Sequence, residues 1–216
     1  MMLDPRYVLE GFLVTLQIWG GALALSLVLA IPVAVLRRSR NPIAKGLGAL
    51  WAWIARGIPP IAWLIIIYFG LTLGIISEVP VLAAIVGLGI INSAYIGDSI
   101  RAGLDAVPTG QWEGAAAVGL SRWDTLTRVV LPQAIPVMLA SVAAYSITLI
   151  KNTAIASIIG ANEMVFYAYN AVQVGADPVL SFLVIGAVYL AVTVPIGILA
   201  RHLGTRTARG ALGVAA

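Results

Sequence analysis

Five long stretches of this chain carry no charge, and a helix built from any of them has little to offer water. Gly11–Leu36 runs for 26 residues without Asp, Glu, Lys or Arg, Gly57–Ser77 for 21, Val79–Gly97 for 19, Val129–Ile150 for 22 and Pro178–Ala200 for 23. About 20 helical residues cross the roughly 30 Å hydrocarbon core of a bilayer, so each stretch has the length of a span. The fourth is followed by a lone Lys151 and then by more apolar chain to Gly160. The runs are continuous rather than alternating, which excludes a transmembrane β-barrel. Of the 216 residues, 61% are hydrophobic and only 10% charged. Soluble domains hold about a quarter charged residues, so lipid is the expected solvent. The expected fold is an all-α polytopic membrane helix bundle, one domain over 1–216, with five transmembrane helices near 11–36, 50–77, 79–104, 133–160 and 178–201. The first run has no basic leading segment and no clear cleavage site, so it is expected to stay as a span and not to be a signal peptide.

The charges sort by side. Arg37, Arg38, Arg40, Lys45 and Arg56 lie between the first two runs, Arg101, Arg122 and Arg128 between the third and fourth, and Arg201, Arg206 and Arg209 after the fifth. The other connections hold Arg6 with the acids Asp4, Glu10, Glu78, Glu163 and Asp177. Basic connections stay in the cytoplasm, which places the N-terminus outside and the C-terminus inside. Arg37–Arg40 reads as a solvated orientation signal. Because the surplus of positive charge is spread over short loops, the net charge of +4 does not make a nucleic-acid interface. There is no cysteine, one histidine (His202) and no phosphate-binding G-x-x-x-x-G-K-[ST] loop. No metal or cofactor is therefore expected in this chain, and any ATP would be bound with its Mg by another chain. Small residues at Gly20, Gly21, Ala22 and Ala24, at Gly87 and Gly89, and in the Gly70–Gly74 pair suit close helix packing. Trp19, Trp51, Trp53, Trp63, Tyr68 and Tyr189 read as packing or interface anchors.

The most informative segment is the cytoplasmic loop 106–134. Pro108 ends or bends the preceding helix, Thr109 is placed to cap a short helix, Gly119 to stop it, and Ser121 with Asp124 to start another. Pro132 and Pro136 are expected to mark the turn back into the bilayer. Glu113 favours the positive end of the first short helix, and Ala115, Ala116 and Ala117 leave its backbone open to a partner's groove. On composition alone, an ordinary amphipathic helix on the membrane surface is the favoured reading.

Glu113, Ala115, Gly119, Val129, Leu131 and Pro132 are spaced as E-x-A-x3-G-x9-[IV]-x-L-P. That pattern resembles the EAA loop of ABC importer permeases, with Gly114 where the family usually has Ala. Further segments resemble its polar amino-acid uptake branch: Arg56-Gly57-Ile58-Pro59-Pro60, Tyr95 to Arg101, Pro108 to Trp112, and Leu149-Ile150-Lys151-Asn152-Thr153. The resemblance spans most of the chain. It implies a permease subunit in a prokaryotic cytoplasmic (inner) membrane, paired with a second permease that is the same or a paralogous chain. Two ATP-binding cassette subunits would dock below, and an extracytoplasmic solute-binding protein would deliver a polar amino-acid substrate. The ATPase-coupling residues would be Glu113, Gly114, Ala115, Ala116, Gly119 and Leu120, and the chain would perform no covalent chemistry of its own.

Two ionisable residues fall in or near spans, where a charge is turned inward or paired. Asp98 and Lys151 could read the two ends of an amino acid, with Asn92, Tyr95, Thr148 and Thr153 adding hydrogen bonds. Equally, Asp98 has Arg101 three residues on for an intrahelical pair, and Lys151 can snorkel. Ala144 and Tyr145 stand where the family often has a polar or acidic pair. Rival readings are the same machine with another cargo (an opine or an ectoine-like solute), a structural subunit of a membrane complex, and a membrane-embedded enzyme.

Overall fold

The computed structural model describes residues 4–70 and 79–211, with side chains as far as Ile198. Among the described residues every regular element is helical. Helix α1 (Pro5–Arg38) opens with the Asp4 carboxylate accepting the Arg6 N–H at 2.8 Å, and Pro5 stands where no N–H is needed. Helix α2 (Pro42–Gly57) repeats the device with Asn41 accepting from Ile43 at 2.9 Å. Helix α3 (Pro60–Ile65) runs on into a π turn, Ile66–Gly70. Then come α4 (Pro80–Asp105), α5 (Thr109–Ala117) and the single turn α6 (Arg122–Asp124). A π turn (Thr125–Val130) carries α6 into α7 (Leu131–Asn152), which ends in a 3-10 stretch, Thr153–Ile159. Helices α8 (Met164–Gln173) and α9 (Pro178–Ala211) complete the described chain.

Among the described residues, four stretches are long and apolar enough to cross a membrane: Pro5–Arg38, Pro80–Asp105, Arg122–Ile159 and Pro178–Ile198. The fifth, expected as one helix over 50–77, is instead broken, with α2 and the α3 segment meeting at 97°. Ile58 is extended and is followed by Pro59 and Pro60, and a proline forces the residue before it out of the helical region. Residues 71–77, including Gly74 of the glycine pair, and Glu78 lie outside the described residues. The fourth span also begins earlier than the prolines suggested. The helix starts at Arg122, Pro132 stands in the first turn of α7, and Pro136 is carried inside it. The π turn just upstream has already shifted the backbone bonding register, so Pro132 interrupts little.

Helices α1 and α4 run parallel and interlock, small residue against large. A Cβ added at Gly21 would lie 2.8 Å from Ile85, one at Gly89 2.8 Å from Leu25, and one at Gly97 2.9 Å from Val33. Of the small residues read from the sequence, Gly21 and Gly89 are holes for side chains across this interface, whereas Gly20 and Gly70 receive none from another helix and Ala24 is exposed. In lipid, where burying apolar surface between helices gains little, such close fit is what holds a bundle together. Gly87 receives Leu64 of α3 in the same way, and Ile18, Ala22, Leu88, Ile91 and Leu149 complete the buried centre. The indole N–H of Trp19 in α1 donates to the Ser146 carbonyl of α7 at 3.1 Å, so this aromatic is an internal tie. By contrast Leu183 and Leu190 of α9 and Trp53 of α2 face outward and are exposed.

Gly11 gives a direct test. A Cβ there would fall 2.8 Å from the N and Cα atoms of Met164, and backbone atoms cannot rotate away. Gly20 has nothing within 4 Å of such a carbon. Gly11→Ala should lower the thermal midpoint of the detergent-solubilised protein, a loss of about 1–3 kcal/mol. Gly20→Ala should be neutral or gain up to about 1 kcal/mol of helix propensity, and tryptophan fluorescence on heating measures both.

Candidate functional site

The loop after α4 folds into a short ridge. Pro108, in an extended conformation, precedes α5, so the backbone turns one residue earlier than expected and Thr109 is already helical; it does not cap the helix. The end of α5 is closed by backbone alone. The Leu120 N–H reaches the Ala115 carbonyl at 3.1 Å and the Gly119 N–H reaches Ala116 at 3.0 Å, with Gly119 at φ +77°. This two-bond closure needs a left-handed residue, which glycine adopts without strain. Ser121 then accepts the Asp124 N–H at 3.1 Å and starts the next turn, as the sequence indicated.

One side of α5 is seated and the other is free. Ala115 is buried, and Trp112 is half-buried and packs on Val107, Val130, Ala134 and Met138. Ala115 is thus part of the seat and not of the presented surface, because three successive helical residues cannot all face one way. Glu113, Gly114, Ala116, Ala117, Val118 and Gly119 are exposed, with Leu120 half-buried. Val118 is 76% exposed and Trp123 71%, so a low ridge of small residues is edged by two large apolar side chains.

The same end of the bundle holds a cluster of charges. Asp98 of α4 is bonded by Arg37 at the end of α1 and by Arg56 at the end of α2, the latter at 2.7 Å, and Arg101 lies 3.6 Å away. Asp105 takes Arg38 at 3.4 Å and Arg101 at 3.5 Å. Arg37 and Arg38 are therefore ion-paired to α4, not a solvated tag. Their partners come from 61 or more residues away in sequence, a distance that local reading does not bridge.

The residues read as a substrate pathway do not converge. Asp98 belongs to the charged cluster. Asn92 is buried and donates to the Leu88 carbonyl of its own helix, and Thr153 is buried against the Ile150 carbonyl. Tyr95 is half-buried, its ring 5.1 Å from Tyr145 and under the Arg56 guanidinium. Thr148 and Lys151 stay together on an exposed stripe of α7 with Ala144, one and two turns apart.

Glu163 is the residue whose role sequence reading missed. Counted among loop acids, it is fully buried and caps α8, accepting from Val165 at 2.9 Å and Phe166 at 2.8 Å. The Tyr189 hydroxyl of α9 donates to it at 3.2 Å. Glutamate is not among the preferred capping residues, so the sequence gives little signal for this role.

Residues 22–209 match the family of binding-protein-dependent transport system inner membrane components. The chain belongs to this family. The resemblance read from the loop 106–134 is borne out, and the chain is a permease subunit of a binding-protein-dependent transport system. This permease is 33% identical over 208 residues to the nopaline transport system permease protein NocM of Agrobacterium fabrum, covering 88% of this chain and 86% of that one. It is 32% identical over 206 residues to the probable glutamine ABC transporter permease protein GlnP of Bacillus subtilis, with 93% of each covered. A solved amino acid ABC transporter with histidines superposes with a TM-score of 0.85 at 26% identity, over 95% of this chain and 100% of that one. An inward-facing MetNI methionine ABC transporter shares the fold, at a TM-score of 0.75 and 22% identity.

Burial pushes the Glu163 carboxyl of the permease up from its ordinary 4.5 to about 7, against the lowering effect of the two backbone N–H groups and Tyr189. A carboxyl with a raised value in the folded state adds stability that is complete below its unfolded value and is lost as pH rises through the folded one. The thermal midpoint should therefore fall as pH rises from about 5 to about 8, and Glu163→Gln should flatten the profile. Parallel profiles for the two proteins would contradict this.

Proposed function

We propose that this permease forms, with a second permease subunit, the translocation pathway of an ATP-driven ABC importer for polar or charged amino acids. Its N-terminus is outside and its C-terminus in the cytoplasm of a prokaryotic inner membrane. ATP and Mg are bound by two partner ATPases, and an extracytoplasmic binding protein delivers the cargo.

The observation that carries the reading is the exposed ridge on α5. Gly114, Ala116, Ala117 and Gly119 let a groove come close to backbone, while Val118 and Trp123 supply apolar contact at its edge. Its seat against the first turns of α7 means that a displacement of α5 bears on the helix with the polar open stripe. Lys151 has no ion-pair partner among the described residues, and its position beside Thr148 suits the carboxylate of a cargo moving between two permease subunits. Amino-acid cargo is supported by the relatives' names, the probable glutamine permease among them. An opine is the second reading, favoured by the likeness to the nopaline permease. Whichever the cargo, the ATPases close, α5 is pushed, and the spans tilt as rigid bodies to open the cavity to one side and then the other.

Ala116→Arg and Ala117→Arg each put a long cation on the exposed side of α5 while leaving the Gly119 closure and the buried seat unchanged. Losing a central contact of about 2 kcal/mol corresponds to roughly 30-fold. Uptake and transport-coupled ATP hydrolysis should fall by that order while membrane insertion is kept; unchanged uptake refutes the docking role. ATPase stimulation of the reconstituted complex by each common L-amino acid and by nopaline identifies the cargo.

A further inference from the structure

A line of side chains leads from α5 to the open stripe of α7, and each step is visible. Arg38, from the end of α1, lies over the Trp112 ring of α5, 5.6 Å from its centroid, while its guanidinium holds Asp105 of α4. Arg101 bridges Asp105 and Asp98. Asp98 binds Arg56 of α2, and Arg56 also lies over the Tyr95 ring at 5.7 Å. Tyr95 packs on Tyr145 of α7, at 5.1 Å and 35°. Tyr145 is the sequence neighbour of Ala144, where the stripe with Thr148 and Lys151 begins.

The charges in this line are unequal. Four guanidiniums meet two carboxylates, and Asp98 faces three of the four. Neutralising Asp98 leaves Arg37, Arg56 and Arg101 crowded around an uncharged group, free to part. Neutralising Asp105 leaves the Asp98 contacts standing. The side chains around Asp98 are 20–38% exposed, so solvent screens them only in part. A separate pair, Arg128 with Asp124, is at the same end but reaches no other helix and is an exposed i,i+4 contact. Charge neutralisation alone would be served by such pairs; Asp98 instead gathers the ends of α1, α2 and α4.

We propose that Asp98 is the positioning residue that locks α2 and α4 together, so that a push on α5 reaches the α7 stripe instead of being lost in sliding between helices. This rests on the function proposed above.

The chain has no cysteine, so a spin label on Ala144→Cys reports on the stripe without removing native thiols. The complete complex, with its second permease and ATPases, is placed in liposomes, and the label's spectrum is compared without nucleotide and with ATP and vanadate. In the otherwise wild-type chain the spectrum should change. Asp98→Asn should reduce that change about fivefold or more while vanadate-trapped nucleotide stays at the wild-type level. Asp98→Glu should retain the change, and Asp124→Asn should match wild type. Should Asp98→Asn fail to assemble, Arg56→Lys keeps the charge but lacks the planar fork, and should show a smaller loss of the same kind. A full-sized change in trapped Asp98→Asn overturns the proposal. So does a loss that only tracks reduced trapping, which marks a scaffold residue, and so does a label that stays silent in a wild-type complex that traps nucleotide. A wild-type complex that traps none contradicts the proposed function itself.

Discussion

The structure depends on how α1 and α4 touch. In a bilayer the backbone must satisfy its own hydrogen bonds, so helices are dictated, but lipid offers almost no hydrophobic drive to bring them together. Association then rests on shape. Gly21, Gly89 and Gly97 each make room for one branched side chain of the other helix, so two parallel spans sit close along most of their length. The contact also brings Arg37 and Arg38 level with Asp98 and Asp105. Interlock within the bilayer and ion pairing at its edge are two parts of one interface.

From that interface the machine-like features follow. Helix α5 cannot float, because Trp112 is held from above by Arg38 and from the side by the apolar seat with Val130, Ala134 and Met138. Its ridge stays exposed because nothing else in the described chain covers Ala116 to Gly119. At the opposite end of the bundle the buried Glu163 ties α8 to α9, and Gly11 lets α1 come against the start of α8. Both ends are thus fixed to rigid helices, a prerequisite for tilting as a body.

Much of the architecture was legible in the sequence, because charge-free length and proline, glycine and serine placement act locally. Gly119 and Ser121 mark boundaries of α5 and α6 as read. Less legible was whatever depends on distant partners. The ion pairs of Arg37 and Arg56 need α1, α2 and α4 side by side, and the broken second span reflects two prolines whose effect on direction, unlike their effect on continuity, has no local signature. The candidate pathway suffered most: residue type alone grouped Asn92 and Thr153 with Thr148 and Lys151, but burial separates them. Ala115 shows the same limit at finer scale, its helical phase rather than its identity deciding that it faces inward.

The central claim is that another chain grips α5. A short thiol-reactive cross-linker reads this directly in the purified complex, with single cysteines at Ala116, at Val118 and, as control, at Leu183 on the outer face of α9. The account predicts a cross-link to the ATP-hydrolysing subunit from Ala116→Cys and Val118→Cys and none from Leu183→Cys. No cross-link from either α5 position, or equal yields from all three, would contradict it.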